Sequence, residues 1–444
     1  MHSWPAFVSL SKVAFMKISF SRTFAALLVF CGFLNSAMAV EPASWEITVN
    51  AGEHDRVGTP VRVALEVPVE LRSAKSAVLQ GSDDAIPCQL TAAGLQAEGD
   101  ATATRELHFV LPSLKAGAAT TLRLTVGGDT ATPAESSSAG MQSFAWADGK
   151  PGETELTFAG QGVLRYVHPT LDETDAKTRE ATYKPFHHVY APDGSRVVTK
   201  GPGGQFTHHR GLYFGFNRIT YGDDQKCDVW HCRAPAYQAH EKVVAKEEGF
   251  VVGRQHVQIG WHGAKGERFA DEQRELTVYN AEPGQYIEFS STVSTPGKPI
   301  RLDGDPQHAG FHFRADNEVA EKTKSQTYYI RPDGQDKPGA TRNWDAKSRN
   351  PKAVNEPWKV LSVVLGDKRY SALYLDHPRN PKEARSSERD YGRFGSYFEY
   401  DVTSDKPLNV RYRLILKDGE FTAADAARLS ADFVSPPSVT VQKR

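Results

Sequence analysis

The chain has 444 residues and a formal net charge of −1, so no global electrostatic field draws it toward nucleic acid or an acidic membrane surface. Its 36 glycines, its 26 prolines and the short alternating runs between turn signals predict strands rather than helices. We therefore expect an all-β protein, with a small N-terminal β-sandwich accessory module and a larger β-sandwich or supersandwich domain.

The first 39 residues have the features of a secretory signal peptide. Lys17 and Arg22 provide positive charge, an apolar run covers 24–34, and Ala37 and Ala39 form an A-x-A cleavage site. The run is shorter than the roughly 20 residues that a membrane-spanning helix needs; an uncleaved anchor is the alternative. We expect cleavage near Ala39 and a secreted or periplasmic mature chain that has no membrane span.

Residues 40–126 are predicted to form the accessory sandwich, because apolar and polar residues alternate in short runs such as 45–49 and 121–126. Residues 127–143 are rich in glycine, serine, threonine, alanine and proline, which is typical of a linker. The larger domain is then expected over 144–444.

Three cysteines, Cys88, Cys227 and Cys232, would remain after cleavage, so at least one thiol is unpaired. Cys227 and Cys232 are close enough along the chain to close a small disulfide loop, and two buried free thiols are the equal alternative. A structural zinc site is disfavoured because the chain has no second cysteine pair.

Twelve of the fifteen histidines follow residue 144, and this bias favours a functional site in the larger domain. The first candidate is His188, on a predicted strand that leads into the turn at 192–194. Because neighbouring strand residues point to opposite faces, only one of His187 and His188 can face a given pocket.

The segment with the strongest signal is His208-His209-Arg210, which leads from a glycine-rich loop into an aromatic strand. Loop-to-strand junctions often display functional groups, and the planar fork of Arg210 suits a carboxylate, a phosphate or a pair of sugar hydroxyls. Tyr213 shares a strand face with His209, whereas the core face is apolar. A structural ion pair at the strand end is the alternative.

The segment around Trp230 is predicted to be a strand, with Asp228 and Trp230 on one face and His231 on the other. A tryptophan beside an acid suits stacking on a sugar ring, and a core tryptophan is the alternative.

Period-two alternation places His308, His312 and Arg314 on one strand face, with Phe311 and Phe313 opposite. This pattern suits a strand that carries a site, although a solvent-exposed face would give it too.

A later apolar strand ends at Asp376 and His377, because Pro378 interrupts the ladder of hydrogen bonds. We expect Asp376 to orient the imidazole of His377 at the rim of a sheet. Arg389 and Tyr391 supply further polar groups soon afterwards.

The chain contains no G-x-S-x-G, H-E-x-x-H, P-loop or C-x-x-C signature. The sequence therefore assigns no metal ligand and leaves the cofactor open. A divalent-metal site built from His188, His209, His312 and His377 is kept as a hypothesis.

Six motifs in this order resemble the PmoA-like family of secreted planctomycete proteins, labelled "methane oxygenase" in some collections. They are His188 before its turn, His208 to Leu212, Asp228 to Trp230, His308 to Phe311, Asp376 to Pro381 and Arg389 to Gly392. The resemblance covers roughly 160–420 and implies a carbohydrate-handling sandwich of galactose-mutarotase-like architecture. It does not imply a membrane methane monooxygenase, because no later segment is apolar enough to span a bilayer.

These observations predict a secreted carbohydrate-active enzyme of the lyase, hydrolase or epimerase type, with histidine as general acid or base. The alternatives are a non-catalytic carbohydrate-binding protein that stacks sugars on Trp230 and Tyr213, and a divalent-metal-dependent enzyme. The predicted catalytic residues are His209, His312, Asp376 and His377. The predicted substrate-binding residues are His188, His208, Arg210, Tyr213, Trp230, His308, Arg314, Arg389 and Tyr391.

Overall fold

The structure, a computed structural model, describes residues 41–82, 84–96, 104–127, 142–233 and 235–444. The predicted signal peptide and most of the predicted linker lie outside these residues. About 53% of the structure is strand and 9% is helix, and the sheets are antiparallel, which confirms the all-β, sandwich-type prediction. Within the described ranges, no helix is both long enough and apolar enough to cross a membrane.

The strands of the N-terminal part are β1 (Ala43–Asn50), β2 (Arg56–Leu65), β3 (Ala77–Gln80), β4 (Ala85–Ile86), β5 (Cys88–Ala92), β6 (Arg105–Leu114) and β7 (Ala119–Val126). The next group is β8 (Phe144–Asp148), β9 (Glu153–Phe158), β10 (Gln161–Val167), β11 (Phe186–Val189), β12 (Leu212–Phe216), β13 (Arg218–Tyr221), β14 (Gln225–Cys227), β15 (Tyr237–Glu247), β16 (Val252–His262), β17 (Arg268–Ala281), β18 (Gly284–Ser294), β19 (Ile300–Asp303) and β20 (Ala309–Arg314).

The remaining strands are β21 (Tyr328–Arg331), β22 (Gly334–Gln335), β23 (Trp358–Leu365), β24 (Lys368–Asp376), β25 (Arg385–Arg389), β26 (Arg393–Tyr397), β27 (Tyr400–Val402), β28 (Leu408–Asp418) and β29 (Ser438–Lys443). Among the described residues the α-helices are α1 (Ala176–Thr182) and α2 (Ala423–Val434). Short helical turns cover Val69–Leu71, Val319–Thr323, Lys324–Gln326 and Pro351–Ala353.

A small N-terminal sandwich packs a sheet of order β29-β1-β7-β3-β4 against a sheet of order β2-β6-β5. The alternation along β1 buries Trp45, Ile47 and Val49 in the core between these sheets. The outer strand beside β1 is β29, which follows the larger domain in sequence, so two distant parts of the chain form this sandwich.

The larger sandwich packs an eight-stranded sheet, β25-β26-β20-β12-β11-β10-β9-β8, against a nine-stranded sheet, β15-β16-β17-β18-β28-β24-β23-β21-β22. Their shared core is rich in aromatic side chains, among them Phe214, Trp261, Phe289, Phe311 and Tyr412. A four-stranded sheet, β14-β13-β19-β27, completes the domain.

Helix α2 begins at a capping box, in which Thr422 and Asp425 bond each other's backbone amides. Its buried face, with Leu429 and Phe433, packs in a second core with residues of the nine-stranded sheet, such as Ile415. Helix α2 covers the nine-stranded sheet, whereas the loops that carry the histidines cover the outer face of the eight-stranded sheet.

Candidate metal centre on the eight-stranded sheet

Strands β12 and β20 pair at the centre of the eight-stranded sheet, with Tyr213 opposite His312. Phe311 and Phe313 of β20 point into the central core, so the alternation predicted for this strand is present. His312 therefore faces the other way, and its ring lies 4.1 Å from the Trp230 ring, measured between centroids. Three loop segments meet above this outer face.

Two of the three segments are turns with the same D-x-x-H sequence. Asp228 accepts hydrogen bonds from the backbone amide of His231, at 2.8 Å, and from its Nδ1, at 2.7 Å. Asp305 accepts one from Nδ1 of His308 at 3.0 Å. A carboxylate on Nδ1 fixes the tautomer and leaves Nε2 as the nitrogen that is able to bind a ligand.

The third segment is the glycine-rich loop, and buried cations hold its backbone in place. Lys200 Nζ donates to the carbonyl of Gly201 at 2.8 Å and reaches that of His209 at 3.5 Å. Arg210 Nη1 donates to the carbonyls of Thr207 and His209 at 2.6 and 2.9 Å. These contacts set the direction of the two adjacent imidazoles.

Four imidazoles come together where the segments meet. The centroid of the His208 ring lies 4.5 Å from that of His209 and 4.6 Å from that of His231, and His231 lies 4.7 Å from His308. One ring nitrogen from each of His208, His209 and His308 falls within 4.8 Å of the others. Both nitrogens of His209 and Nε2 of His208 are buried without a hydrogen-bond partner.

The electrostatics keep the central imidazoles neutral. Burial, followed by the charge of Lys184, lowers the pKa of the His208 imidazole to about 2. Burial, followed by the charge of Arg393, lowers the pKa of His209 far below its ordinary value. A neutral imidazole is the form that ligates metals, whereas it has no spare proton to donate as a general acid. The arrangement therefore suits a transition-metal ion.

His312 lies beneath the cluster but has both ring nitrogens engaged. Its Nδ1 accepts from Arg393 at 3.2 Å, and its Nε2 lies 3.1 Å from the carbonyl of Ala309. Burial and then Arg393 lower its pKa well below the ordinary value. His312 thus supports the site from below, and the structure assigns it no role in catalysis.

Phe206 forms an exposed edge above the cluster. Its ring centroid lies 5.3 Å from that of His209 and 5.2 Å from that of Tyr391, and 43% of the residue is exposed. The backbone of Phe206 has a φ of 54°, in the left-handed region that non-glycine residues rarely adopt. An exposed aromatic ring in this conformation next to a polar cluster suggests contact with a ligand.

Asp376 and His377, which were predicted as catalytic residues together with His209, are not part of this cluster, so the prediction of one shared site is wrong for these two residues. Asp376 accepts from Asn380 and Lys382, both at 2.6 Å. The His377 ring packs on Phe433 and lines a different cleft. The physical reason is that β24 belongs to the nine-stranded sheet, whereas the cluster lies on the eight-stranded one.

The hypothesis that Trp230 and Tyr213 form a stacking surface is also wrong, and the structure shows the alternative, a core tryptophan. Both side chains are buried, and they pack on each other with ring centroids 5.0 Å apart. The segment that contains Trp230 is a turn rather than a strand, because Asp228 bonds the backbone of His231.

Two more expectations differ from the structure, and one pair of open alternatives is decided by it. His188 bonds Thr199 at 3.1 Å, so of the four histidines hypothesised as metal ligands only His209 belongs to the cluster. Arg389 bonds Asn343 rather than a cluster residue. Cys227 and Cys232 are separate buried thiols, which corresponds to the second of the two cysteine alternatives.

Sequence reasoning missed His231, Phe206 and Arg393 as residues of the site. The repeated D-x-x-H spacing at Asp228 and Asp305 was the signal that could have identified two of the four imidazoles. No comparable signal marks Arg393, because its role depends on strand pairing between β20 and β26.

Comparison with known protein families gives one match. A family model described as "Family of unknown function (DUF6807)" matches residues 153–431, which include the four imidazoles and both aspartates. No curated protein matches the chain.

Proposed function

The chain belongs to the family of unknown function DUF6807, and we propose that it is an exported, metal-dependent enzyme that acts on a hydroxyl-rich substrate such as a carbohydrate. The observation that carries the proposal is the convergence of ring nitrogens of His208, His209 and His308 within 4.8 Å of one another. Export is proposed from the charged and apolar pattern of 1–39.

The donor set fits a transition metal. Buried polar atoms normally have partners, yet His208 and His209 present three buried ring nitrogens without one. Asp305 holds His308 in the orientation that carboxylates give to metal-bound histidines. Three imidazoles and no thiolate or carboxylate ligand favour zinc, copper, iron or nickel over magnesium or calcium.

Three protein ligands are also the number found in catalytic zinc sites, where a fourth position stays open for water or substrate. A metal in such a site supplies Lewis-acid polarisation of a substrate oxygen or lowers the pKa of a bound water. In this chain His208, His209 and His308 would hold the metal. His231, braced by Asp228, is the adjacent group that can exchange protons with the substrate.

A carbohydrate substrate is supported by the surface next to the centre. Asp305, which orients His308, also lines a cleft of about 850 Å³. Trp344, Tyr397, Arg385 and Glu399 line the same cleft. Aromatic faces interleaved with charged groups suit sugar rings and their hydroxyls. The resemblance to PmoA-like proteins implies the same substrate class.

The test is metal binding by the purified mature chain. After treatment with a chelator and desalting, we expect one zinc or cobalt ion per chain in isothermal titration, with cobalt giving visible absorption bands typical of imidazole ligation. His209→Ala should lose this binding, whereas His54→Ala, in the turn between β1 and β2, should retain it. A folded wild-type chain that binds neither ion would refute the proposal.

A second candidate is a metal-free carbohydrate-active enzyme that uses the two Asp–His pairs, Asp228–His231 and Asp305–His308, for general acid–base chemistry. Both histidines are partly exposed, unlike His209. A screen of polysaccharides and keto-sugars for reducing ends or unsaturated products separates the candidates. Activity that persists in excess chelator favours the second, and activity that returns only with added metal favours the first.

A further inference from the structure

We propose that the substrate carries an oxyanion, a carboxylate or a sulfate ester, and that Arg314 binds it beside the histidine cluster. This inference rests on the proposed function for the identity of the reacting centre, but the anion site itself can be measured without a metal.

The first observation is an excess of buried positive charge around the cluster. Five cationic side chains are buried there, and within the described residues none forms an ion pair with a carboxylate. They are Lys184, Lys200, Arg210, Arg314 and Arg393. Burying a charge without a counter-charge is unfavourable, so this region would stabilise a bound anion.

The rest of the molecule provides the comparison, because buried cations elsewhere do have carboxylate partners. The pairs are Arg56 with Asp432, Arg254 with Glu106, Arg274 with Glu272, Arg331 with Glu388, Lys359 with Glu356 and Arg413 with Glu288. The fold therefore supplies counter-charges where a cation has a structural role. Within the described residues, the five cations beside the histidine cluster have no such carboxylate partner, and the Asp228 and Asp305 carboxylates pair with imidazoles instead.

Not all five cations are equally available to a ligand. Lys200 and Arg210 already donate to loop carbonyls, and Lys184 donates to the carbonyl of Trp230 and lies 4.2 Å from the centroid of the Tyr213 ring. These side chains contribute positive potential, but most of their donors bond the backbone, and Arg210 keeps a single buried nitrogen, Nε, without a partner.

Arg314 differs because one edge of its guanidinium has no partner. Its Nη1 donates to the carbonyls of Ala315, at 2.8 Å, and of Tyr391. Its Nε and Nη2 are buried without a hydrogen-bond partner. Those two nitrogens form the edge that binds carboxylate, sulfate or phosphate through two parallel hydrogen bonds.

The position of Arg314 links this edge to the candidate metal centre. Its guanidinium lies over the Tyr391 ring, 4.7 Å from the centroid, and Tyr391 in turn contacts Phe206 above His209. Arg393 stands behind, where it bonds His312. An anion that enters beneath the rings of Phe206 and Tyr391 would meet Arg314 while the rest of the substrate faces the imidazoles.

The experiment compares ligands that differ only in charge, by titration calorimetry on the full mature chain with and without saturating zinc. The probes are glucose, glucuronate, glucose 6-sulfate and inorganic sulfate. We expect glucuronate or glucose 6-sulfate to bind at least about tenfold more tightly than glucose, because hydrogen bonds to a charged group exceed neutral ones by such factors. Inorganic sulfate should compete.

Variants then assign the effect to one side chain. Arg314→Met should remove the preference for the anionic sugar, and Arg314→Lys should restore only part of it, because an ammonium lacks the fork. Arg123→Met, at an exposed arginine of β7, is the control and should behave as wild type. Thermal unfolding reports whether each variant is folded.

The outcomes separate the two proposals. Equal binding of glucose and both anionic sugars by the wild-type chain overturns this inference, and so does a folded Arg314→Met variant that keeps the preference. Loss of metal binding with a retained anion preference would refute the metal centre alone. Metal binding without an anion preference would refute the anion site alone. A preference for one anionic sugar identifies the oxyanion.

Discussion

At the scale of single residues, the candidate centre depends on how each imidazole is held. The carboxylates of Asp228 and Asp305 hold His231 and His308, whereas within the described residues His208 and His209 have no carboxylate on a ring nitrogen. Braces of this kind set the tautomer and raise the basicity of a ligand. The two types of imidazole should therefore respond differently to mutation.

We expect Asp305→Asn to weaken metal binding by about tenfold to a hundredfold, because an amide cannot give Nδ1 of His308 a charged acceptor. Titration with cobalt and a thermal unfolding curve measure affinity and stability separately. Asp401→Asn, at an exposed aspartate of β27, is the matched control. An unchanged cobalt affinity in Asp305→Asn would show that this brace has no part in the site.

At this scale the sequence named His208, His209 and His308 as site residues, but of these three only His209 was among the hypothesised metal ligands. Known metal motifs have short, fixed spacings, whereas these three come from segments that the chain separates by 100 residues. Their convergence depends on β12 and β20 pairing side by side, which single-residue patterns do not encode.

At the scale of elements, the conformation of one glycine in β20 positions the residues on either side of it. Gly310 has a φ of 83°, and a Cβ at this position would overlap the carbonyl oxygen of Ser396 on β26. Only glycine fits the left-handed conformation and the close approach together. This conformation lies between His308 in the preceding turn and His312 in the strand.

We expect Gly310→Ala to lower the free energy of unfolding by about 2 kcal/mol or more, from backbone strain and the overlap with β26. Gly297→Ala is the matched control, because an added Cβ there meets nothing within 4 Å, and its effect should stay within about 0.5 kcal/mol. Denaturant unfolding of both variants checks this. Equal stability of the two would contradict the role given to Gly310.

The alternation of apolar and polar residues predicted which side chains face the core where strands are regular. It failed where a side chain bonds the backbone and replaces the strand by a turn. The strand face opposite Tyr213 was expected to be an apolar core face, and Phe214 on that face lies in the core. Phe311 lies on the face opposite His312, as expected, and is also in the core. The segment after β14 was expected to be a strand, but the Asp228 carboxylate bonds the amide of His231 and closes a turn. The prediction that Asp376 belongs to the same site failed for another reason. The residue pattern of a strand does not determine which sheet the strand joins.

At the scale of the whole molecule, buried ion pairs connect the small sandwich to the nine-stranded sheet. Glu288 of β18 pairs with Arg413 of β28, and Nη1 of Arg62 in β2 lies 3.9 Å from Oε2 of Glu288. Arg254 of β16 pairs with Glu106 of β6 at 2.7 Å. The sequence predicted two sandwiches from their strand patterns, but these contacts join side chains that no local pattern relates.

Because of Glu288, the free energy of unfolding should depend on pH in the acid range. Burial alone would raise its pKa, but Arg413 and Arg62 outweigh this and lower the pKa from 4.5 to about 2. The folded state thus favours the carboxylate, so its contribution is full above pH 4.5 and disappears as the pH falls toward 2. The size is on the order of 3 kcal/mol.

We therefore expect Glu288→Gln to be less stable than wild type at pH 7, with a difference that shrinks as the pH falls from 4.5. Denaturant unfolding between pH 3 and pH 7 measures this. Glu53→Gln, at an exposed position in the turn after β1, should show no such difference. A stability difference between Glu288→Gln and wild type that does not change with pH would contradict the assignment.

The pairing of β29 with β1 has a consequence for how the protein acquires its structure. The ion pair between Glu46 and Arg444 joins residues 398 positions apart. The strand pairing of β1 with β29 joins residues that are about as far apart in sequence. During synthesis, the first sheet has an open edge until the residues of β29, Ser438–Lys443, have been made. Such remote pairings form slowly, and an open edge is a template for unwanted association. The small sandwich is therefore completed late, although its first strand is made early.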